Sequence, residues 1–281
     1  MTGRVTASMT PGSFHNNSQS DKSMKLLFSQ SLLFIPLLYA GPDLGGEELV
    51  NRYLNQASRK SAVLTMSALY REPGTEPVLL EFVWMRKSKA GRMSHLIRIE
   101  SPPSEKGKLL LVKETGSGQA EYIAYRPSSA LKKKVRVSGA RNYKYKTLTI
   151  SVQELIGGEF GKYTHQLKGE EVVNGVACHR VESLLLPQFQ SDSNYRRLFC
   201  FLRKDNGMLW KWELFGKSGQ LEKIIQIVEI KPLQGFLTVT QAEVQDLKRK
   251  GELKLSLKDG RYNVELKDDL FSEDYLKQNS R

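Results

Sequence analysis

The feature that most constrains the fold is a two-residue hydrophobic period that begins at residue 61 and returns along most of the chain. Apolar side chains occupy every second position of residues 61–70. Similar short segments follow at residues 78–85, 93–100, 109–112, 121–125, 132–137, 209–215, 221–230, 236–247, 252–257 and 261–266. Successive side chains of a β-strand point to opposite faces of a sheet. The sequence therefore predicts a chain that is mainly β.

Glycine-containing turns separate many of these segments and predict hairpins. They are Asn206-Gly207, Lys217-Ser218-Gly219, Lys250-Gly251 and Asp259-Gly260. A meander of this length has to split into two packed sheets or curve strongly. Two helices would then cover the open face: residues 43–57, which are apolar on one side, and residues 149–156, which begin with a capping box. A curved sheet closed by helices encloses a cavity.

The two cysteines of the chain, Cys178 and Cys200, lie on either side of one polar loop. A hairpin register that sets them opposite each other also pairs Glu182 with Arg196, which is a favourable cross-strand ion pair. Directly opposite cysteines come near disulfide distance, and an oxidising compartment would join them. We predict a structural Cys178–Cys200 disulfide if the chain is exported. The alternative is two reduced thiols that pack as small apolar residues.

Residues 1–23 form a polar leader, after which an apolar run begins abruptly at Met24. Lys25 supplies a positive start, and Ala40 supplies a small residue at the cleavage point, so residues 24–40 are predicted to be a signal peptide. A retained anchor is the alternative, although the run is shorter than the roughly 20 apolar residues that span a bilayer. A start at Met24 would leave the leader untranslated. Residues 41–281 would then form a single exported domain.

Lysine and arginine outnumber aspartate and glutamate by 43 to 30, which gives a formal net charge of +13. This excess favours an anionic partner such as nucleic acid, an acidic protein or lipid head groups, and export argues against nucleic acid. Basic clusters occur at residues 86–89, 132–136 and 248–250. Each is either a solvated surface or part of a rim on an anionic membrane, where one cation contributes on the order of 1 kcal/mol.

The sequence offers little that predicts catalysis. His95, His165 and His179 are isolated in the sequence, without a second residue at metal-ligand spacing. The nucleophile elbow, the phosphate loop and the dinucleotide fingerprint do not occur, and the cysteines lack the spacing of a redox pair. We therefore predict no enzyme, no catalytic residue, no metal site and no cofactor. A hydrolase would need a histidine brought to a serine or carboxylate inside a cleft.

Aromatic residues recur on single faces of the predicted strands. Phe82 and Trp84 share one face of their strand. Trp210, Trp212 and Leu214 share one face of another, with charged residues at the positions between them. These side chains are either ordinary core or, if the sheet curves round a cavity, the lining of an apolar ligand site.

A series of short motifs resembles the LolA-like outer-membrane lipoprotein-sorting family over roughly residues 45–277. The motifs are residues 82–86 (FVWMR), 96–102 (LIRIESP), 107–111 (GKLLL), 122–127 (YIAYRP), 175–178 (GVAC), 195–197 (YRR), 219–223 (GQLEK), 246–251 (DLKRKG) and 269–276 (DLFSEDYL). Residues 143–150 (YKYKTLTI) depart from the phenylalanine- and aspartate-rich pattern that is usual in the family.

The resemblance implies a curved, incompletely closed antiparallel β-barrel whose few helices cover the open face. It also implies a periplasmic, non-enzymatic carrier or sorting protein for lipid or lipoprotein acyl chains, with an anionic membrane surface and an inner-membrane exporter as partners. Strand parity then predicts an apolar pocket and a rim for a head group: Phe82, Trp84, Leu110, Trp210 and Trp212 for the pocket, and Arg86 and Arg136 for the rim. The alternative is an envelope adaptor that docks onto an exporter complex without binding lipid.

Overall fold

A computed structural model of the protein describes residues 45–57, 60–116, 119–126, 133–136, 160–191 and 193–279. Its strands form one antiparallel sheet of 13 strands in the order β6-β5-β4-β3-β2-β1-β13-β12-β11-β10-β9-β8-β7. The elements are α1 (Gly46–Ala57), β1 (Ser61–Arg71), β2 (Val78–Lys89), β3 (Arg92–Ser101), β4 (Leu109–Gly116), β5 (Gln119–Arg126), β6 (Lys133–Arg136), β7 (Tyr163–Val173), β8 (Val176–Leu185), β9 (Tyr195–Arg203), β10 (Leu209–Gly216), β11 (Leu221–Leu233), β12 (Phe236–Asp246), β13 (Gly251–Tyr262) and α2 (Glu273–Asn279). The pairing of β1 with β13 joins the two ends of the meander, and β6 and β7 remain as the two edges.

The architecture confirms the predicted mainly β meander, as one open, curved sheet. The first predicted helix is confirmed as α1, whereas residues 149–156 lie outside the described part of the chain. Two elements do not appear in the sequence prediction: the charged edge strand β7 and the C-terminal helix α2.

The hairpin turn predicted at Asp259-Gly260 is wrong, because β13 runs through these residues without a break. Gly260 is needed for close packing instead. A Cβ atom at this position would lie 2.8 Å from Leu64 Cδ2 and 3.0 Å from Leu233 Cδ2. The glycine therefore lets a neighbouring strand and a hairpin tip approach the backbone of β13.

The two faces of the sheet carry separate hydrophobic clusters. The larger cluster lies mainly on what we call the inner face and draws on strands from β5, through β1 and β13, to β7. The smaller cluster lies on the outer face of β2 to β5. Its buried members are Met85, Leu96, Leu109, Leu111 and Ile123 from the strands and Leu266, Phe271 and Leu276 from the C-terminal segment.

Helix α1 lies against the edge strand β7 and covers part of the inner face. A Cβ atom on Gly46 would lie 2.6 Å from the backbone nitrogen of Leu167. The Glu47 carboxylate accepts a hydrogen bond from the His165 backbone N–H at 2.7 Å. The apolar side of the helix, with Val50 at 1% exposure, therefore faces the larger cluster.

The C-terminal segment covers the outer face. Lys87 and Lys89 of β2 both pair with Asp268, at 2.7 and 2.5 Å, so two lysines of the basic cluster at residues 86–89 hold this segment. Helix α2 then begins where Ser272 Oγ accepts the Tyr275 N–H at 3.1 Å. Among the described residues no helix is long and apolar enough to span a membrane. The predicted signal peptide, residues 24–40, lies outside the described ranges.

Candidate functional site

All five predicted pocket residues belong to the larger cluster, and four of them lie on the inner face. Phe82 and Trp84 project from β2, Leu110 from β4 and Trp212 from β10, and none is more than 8% exposed. The strand registers explain why they meet, since Trp84 lies opposite Ile97 of β3 and Ile97 lies opposite Leu110. Side chains from strands far apart in the sheet thus form one apolar surface.

Trp210 lies on the opposite face from Trp212, so the prediction that both share one face is wrong. The ladder between β9 and β10 is irregular just before Lys211, and the extra residue places Trp210 and Lys211 on the same side. The Arg203 guanidinium carbon accordingly lies 4.9 Å from the centroid of the Trp210 ring. The indole N–H of Trp210 donates to the carbonyl of Val173 at 3.1 Å. Trp210 therefore belongs to the larger cluster but does not line the inner face.

Tyr53 of α1 connects the two halves of the curved sheet. Burial and, to a smaller extent, the nearby Cys200 of β9 raise the pKa of Tyr53 to about 12, while Arg86 of β2 acts in the opposite direction. Strands β2 and β9 are not neighbours in the sheet, yet a side chain from each lies close enough to shift the pKa of this hydroxyl group. The Tyr53 ring also packs edge-on against Phe160 at 5.9 Å, and Phe160 stacks on Trp212 at 5.0 Å between centroids.

A small polar cluster interrupts the apolar inner face at β2, β3 and β13. The Trp84 indole N–H donates to His95 Nδ1 at 3.2 Å. Burial and, as the second cause, the Arg86 guanidinium lower the pKa of His95 to about 3, so the ring is neutral at physiological pH. The guanidinium carbon of Arg86 lies 5.8 Å from the Trp84 ring centroid and 6.0 Å from the Tyr262 ring centroid. Arg86, predicted for the rim, is thus a cation among aromatic side chains.

The tip of the β11–β12 hairpin packs beside this polar cluster. The Gln234 side-chain oxygen accepts the backbone N–H of Tyr262 at 2.6 Å, and the Thr238 and Tyr262 hydroxyl oxygens are 3.0 Å apart. The Phe236 ring meets the Tyr262 ring edge-on at 5.6 Å. The ladder between β11 and β12 is irregular at residues 227–230, which bends the hairpin. The tip consequently covers one end of the inner face.

His165, isolated in the sequence, has partners in the folded chain. Its Nδ1 lies 2.8 Å from Ser183 Oγ and its Nε2 lies 3.1 Å from the carbonyl oxygen of Phe160. If Nε2 donates to that carbonyl, Nδ1 accepts the serine proton, and Ser183 Oγ is left to accept from Cys200 Sγ at 3.9 Å. Ser183 is 0% exposed, so a substrate has no access to its hydroxyl. The contact has the residues of a hydrolase dyad but is a buried polar chain.

The predicted register of the two cysteines is wrong by three residues. Cys200 lies opposite Val181, and Cys178 lies opposite Arg203. An odd shift places the two side chains on opposite faces of the sheet. Both residues are buried free thiols in the structure. This arrangement corresponds to the alternative of two packed, reduced cysteines rather than to the predicted disulfide.

The remaining predicted rim residue, Arg136, ends the edge strand β6, and its side chain lies outside what the structure describes. The basic cluster at residues 248–250 forms the β12–β13 turn, far along the sheet from β6. The predicted cations therefore belong to different parts of the surface.

Comparison with known proteins identifies relatives of this fold. A family model described as uncharacterized protein matches residues 91–278. A DUF1329 family protein from Desulfovibrio piger is similar in structure, with a TM-score of 0.75 and 21% identity over 82% of this chain and 97% of that one. An outer membrane lipoprotein-sorting protein domain from Vibrio parahaemolyticus has a TM-score of 0.73 and 18% identity, covering 83% and 98% of the two chains. A LolA superfamily protein from Nitrosomonas europaea has a TM-score of 0.65 and 18% identity, covering 83% and 100%. No curated protein matches by sequence.

Proposed function

We propose that this chain, which belongs to the family of uncharacterized proteins whose model matches residues 91–278, is a non-enzymatic carrier of lipid or lipoprotein acyl chains. The observation that carries the proposal is the continuous apolar inner face, which extends from β5 to β7 and gathers aromatic side chains from distant strands. The LolA-like fold supports the same reading.

The free energy of burying an acyl chain is sufficient for such a carrier. Each methylene removed from water contributes about 0.8 kcal/mol, so a long acyl chain contributes on the order of 10 kcal/mol before the cost of ordering it. Trp84, Trp212 and Leu110 present the apolar surface that this transfer needs. No covalent step is required, because the cargo is held by burial alone.

Arg86 would bind the polar end of the cargo. It is half-buried on the inner face, between the rings of Trp84 and Tyr262. A guanidinium among apolar side chains attracts an anionic group more strongly than one in water does. The carrier would therefore prefer acyl chains that end in a phosphate or carboxylate over neutral ones.

The β11–β12 hairpin tip is the proposed cover of the entrance. It rests on Tyr262 through Gln234 and Phe236, next to Arg86, and the irregular ladder at residues 227–230 provides a place to bend. Because the inner-face side chains are packed against this tip and α1, cargo has to replace some of these contacts when it enters. Lifting the tip would expose apolar surface only while cargo is being exchanged.

The setting proposed for this carrier is the periplasm, with an anionic membrane surface and an inner-membrane exporter as partners. The signal-peptide pattern of residues 24–40 supports export. The net charge of +13 supports approach to anionic lipid. The exporter follows from the family resemblance alone.

Native mass spectrometry of the protein as isolated from the periplasm, without detergent, tests the carrier proposal. The expected result is a mass increment equal to one acyl-chain lipid, which disappears after delipidation and returns when anionic lipid is added. In Arg86→Gln the returning lipid should lose its preference for anionic over neutral head groups. A clean apo mass that added lipid does not change would contradict the carrier and favour an envelope adaptor.

A further inference from the structure

A basic groove lies at one end of the sheet, away from the apolar inner-face residues of the carrier site. Its volume is about 690 Å³, and it forms where the β8–β9, β10–β11 and β12–β13 turns meet. This volume is within the range of small-molecule sites. The groove therefore has room for more than a single inorganic ion.

Four cations from three segments of the chain line this groove. Lys217 comes from the β10–β11 turn, Lys248 and Arg249 come from the β12–β13 turn, and Lys223 comes from β11. Lys223 is only 2% exposed, and its ammonium nitrogen lies 5.8 Å from the ring centroid of Tyr195. Lys223 lies opposite Asp246, which is also buried, in the β11–β12 ladder.

Two carboxylates also line the groove, and both are engaged by neighbouring groups. Asp246, opposite Lys223 in the ladder, accepts the backbone N–H of Arg249 at 3.0 Å. Glu222 accepts from Lys248 at 3.1 Å. Among the described residues, neither the Lys217 ammonium nor the Arg249 guanidinium forms an ion pair with a carboxylate. The lining as a whole keeps an excess of positive charge.

We propose that this groove binds a phosphate-class oxyanion, either a phospholipid head group or a free phosphate compound. A tetrahedral oxyanion suits the groove because its cationic donors approach from two different turns, β10–β11 and β12–β13, whereas a planar carboxylate is matched best by a single arginine fork. Lys217 and Arg249 make the direct contacts. The proposal does not depend on the carrier function.

The test uses the full-length protein with two probes at fixed ionic strength. The probes are inorganic phosphate, followed by calorimetry, and vesicles of phosphatidylglycerol in phosphatidylcholine, followed by flotation against pure phosphatidylcholine. The site variant is Lys217→Gln with Arg249→Gln. The control is Lys254→Gln with Lys258→Gln, which removes the same charge from exposed lysines of β13, one of them paired with Glu243. All four side chains are exposed, so thermal melts should show that both variants fold.

The proposal predicts that the site variant weakens binding by about tenfold, whereas the control changes it less than about twofold. Loss of binding to both probes would indicate a site for phosphate itself. Loss confined to phosphatidylglycerol vesicles would indicate a head-group site. Equal weakening in the site variant and the control, or no binding of either probe by the unaltered protein, would overturn the proposal.

Discussion

Trp84 donates its indole hydrogen bond to His95 Nδ1 across 3.2 Å, in the middle of the apolar inner face. The histidine is 3% exposed, and burial lowers its pKa to about 3, with Arg86 as the second cause. A protonated ring would have to give up the Trp84 bond and place a cation beside Arg86. The pair therefore requires a neutral histidine in the folded protein.

This pair predicts a loss of stability in mild acid. The unfolded state binds a proton near pH 6.5, whereas the folded state resists protonation down to about pH 3, so stability falls as the pH drops through that interval. Between pH 6.5 and pH 5 the contribution of His95 should fall by about 2 kcal/mol. Urea denaturation of the wild type and His95→Gln at both pH values checks this. Equal pH dependence of the two proteins would contradict it.

A second prediction concerns the two cysteines. Burial raises the pKa of the Cys178 thiol to about 11 and that of the Cys200 thiol to about 12, so neither is a reactive thiolate at neutral pH. Protein taken from an oxidising compartment should show almost no reaction with a thiol reagent while folded. After unfolding without reductant it should show both thiols. If no thiol reacts after unfolding, the cysteines form the disulfide that the sequence predicts, and this prediction is wrong.

Gly260 gives a third prediction, for the hairpin tip. A larger side chain there would displace Leu64 or Leu233, since a Cβ atom would already lie within 3.0 Å of both. Gly260→Val should cost about 1–3 kcal/mol of unfolding free energy. It should also speed hydrogen exchange at the Tyr262 amide, which the Gln234 side chain now protects. Gly161→Val is the matched control, because no heavy atom lies within 4 Å of a Cβ there. Similar exchange rates in both variants would argue against a fitted tip.

Regular strand parity was sufficient to predict much of the inner face from the sequence. Phe82, Trp84 and Leu110 fall where alternation places them. The β2–β3 ladder is regular from Phe82 onward, its one irregularity lying between Glu81 and Phe82, and the described β3–β4 ladder is regular. Trp210 does not fall where alternation places it, because a bulge just before Lys211 adds a residue that the amino-acid pattern does not reveal. A two-residue period fixes the face only as far as the next irregularity.

Long-range pairing was the part that the sequence could not supply. The loop between β8 and β9 contains a 3-10 turn at Pro187–Phe189, and its length leaves the register free, so the cysteine pairing depended on a guess about side-chain partners. The His165–Ser183 contact joins positions on β7 and β8, and β7 itself was too charged to be predicted as a strand. The C-terminal segment covers the outer face through only a few apolar residues.

The outer face provides a fourth prediction that separates folding from binding. Phe271 is 5% exposed and packs in the smaller cluster, on the opposite side of the sheet from the proposed cargo site. Phe271→Ala should lower the unfolding free energy by about 3–5 kcal/mol. Leu79→Ala, at a site 49% exposed on β2, should cost far less. At temperatures where Phe271→Ala remains folded, its lipid uptake should equal that of the wild type, and a specific loss of uptake would place the site elsewhere.

The three tryptophans of the chain allow a direct test of which face receives the acyl chain. Trp84 and Trp212 lie on the inner face, whereas Trp210 lies on the other face beside Arg203. Lipids with brominated acyl chains quench indole fluorescence only on close contact. In Trp210→Phe the two inner-face indoles remain, so brominated lipid should quench most of the emission. In the double variant Trp84→Phe with Trp212→Phe the remaining Trp210 should be quenched little, although lipid uptake measured by mass is retained. Strong quenching of Trp210 in that variant would mean that the acyl chain binds the outer face, and would remove the inner face as the carrier site.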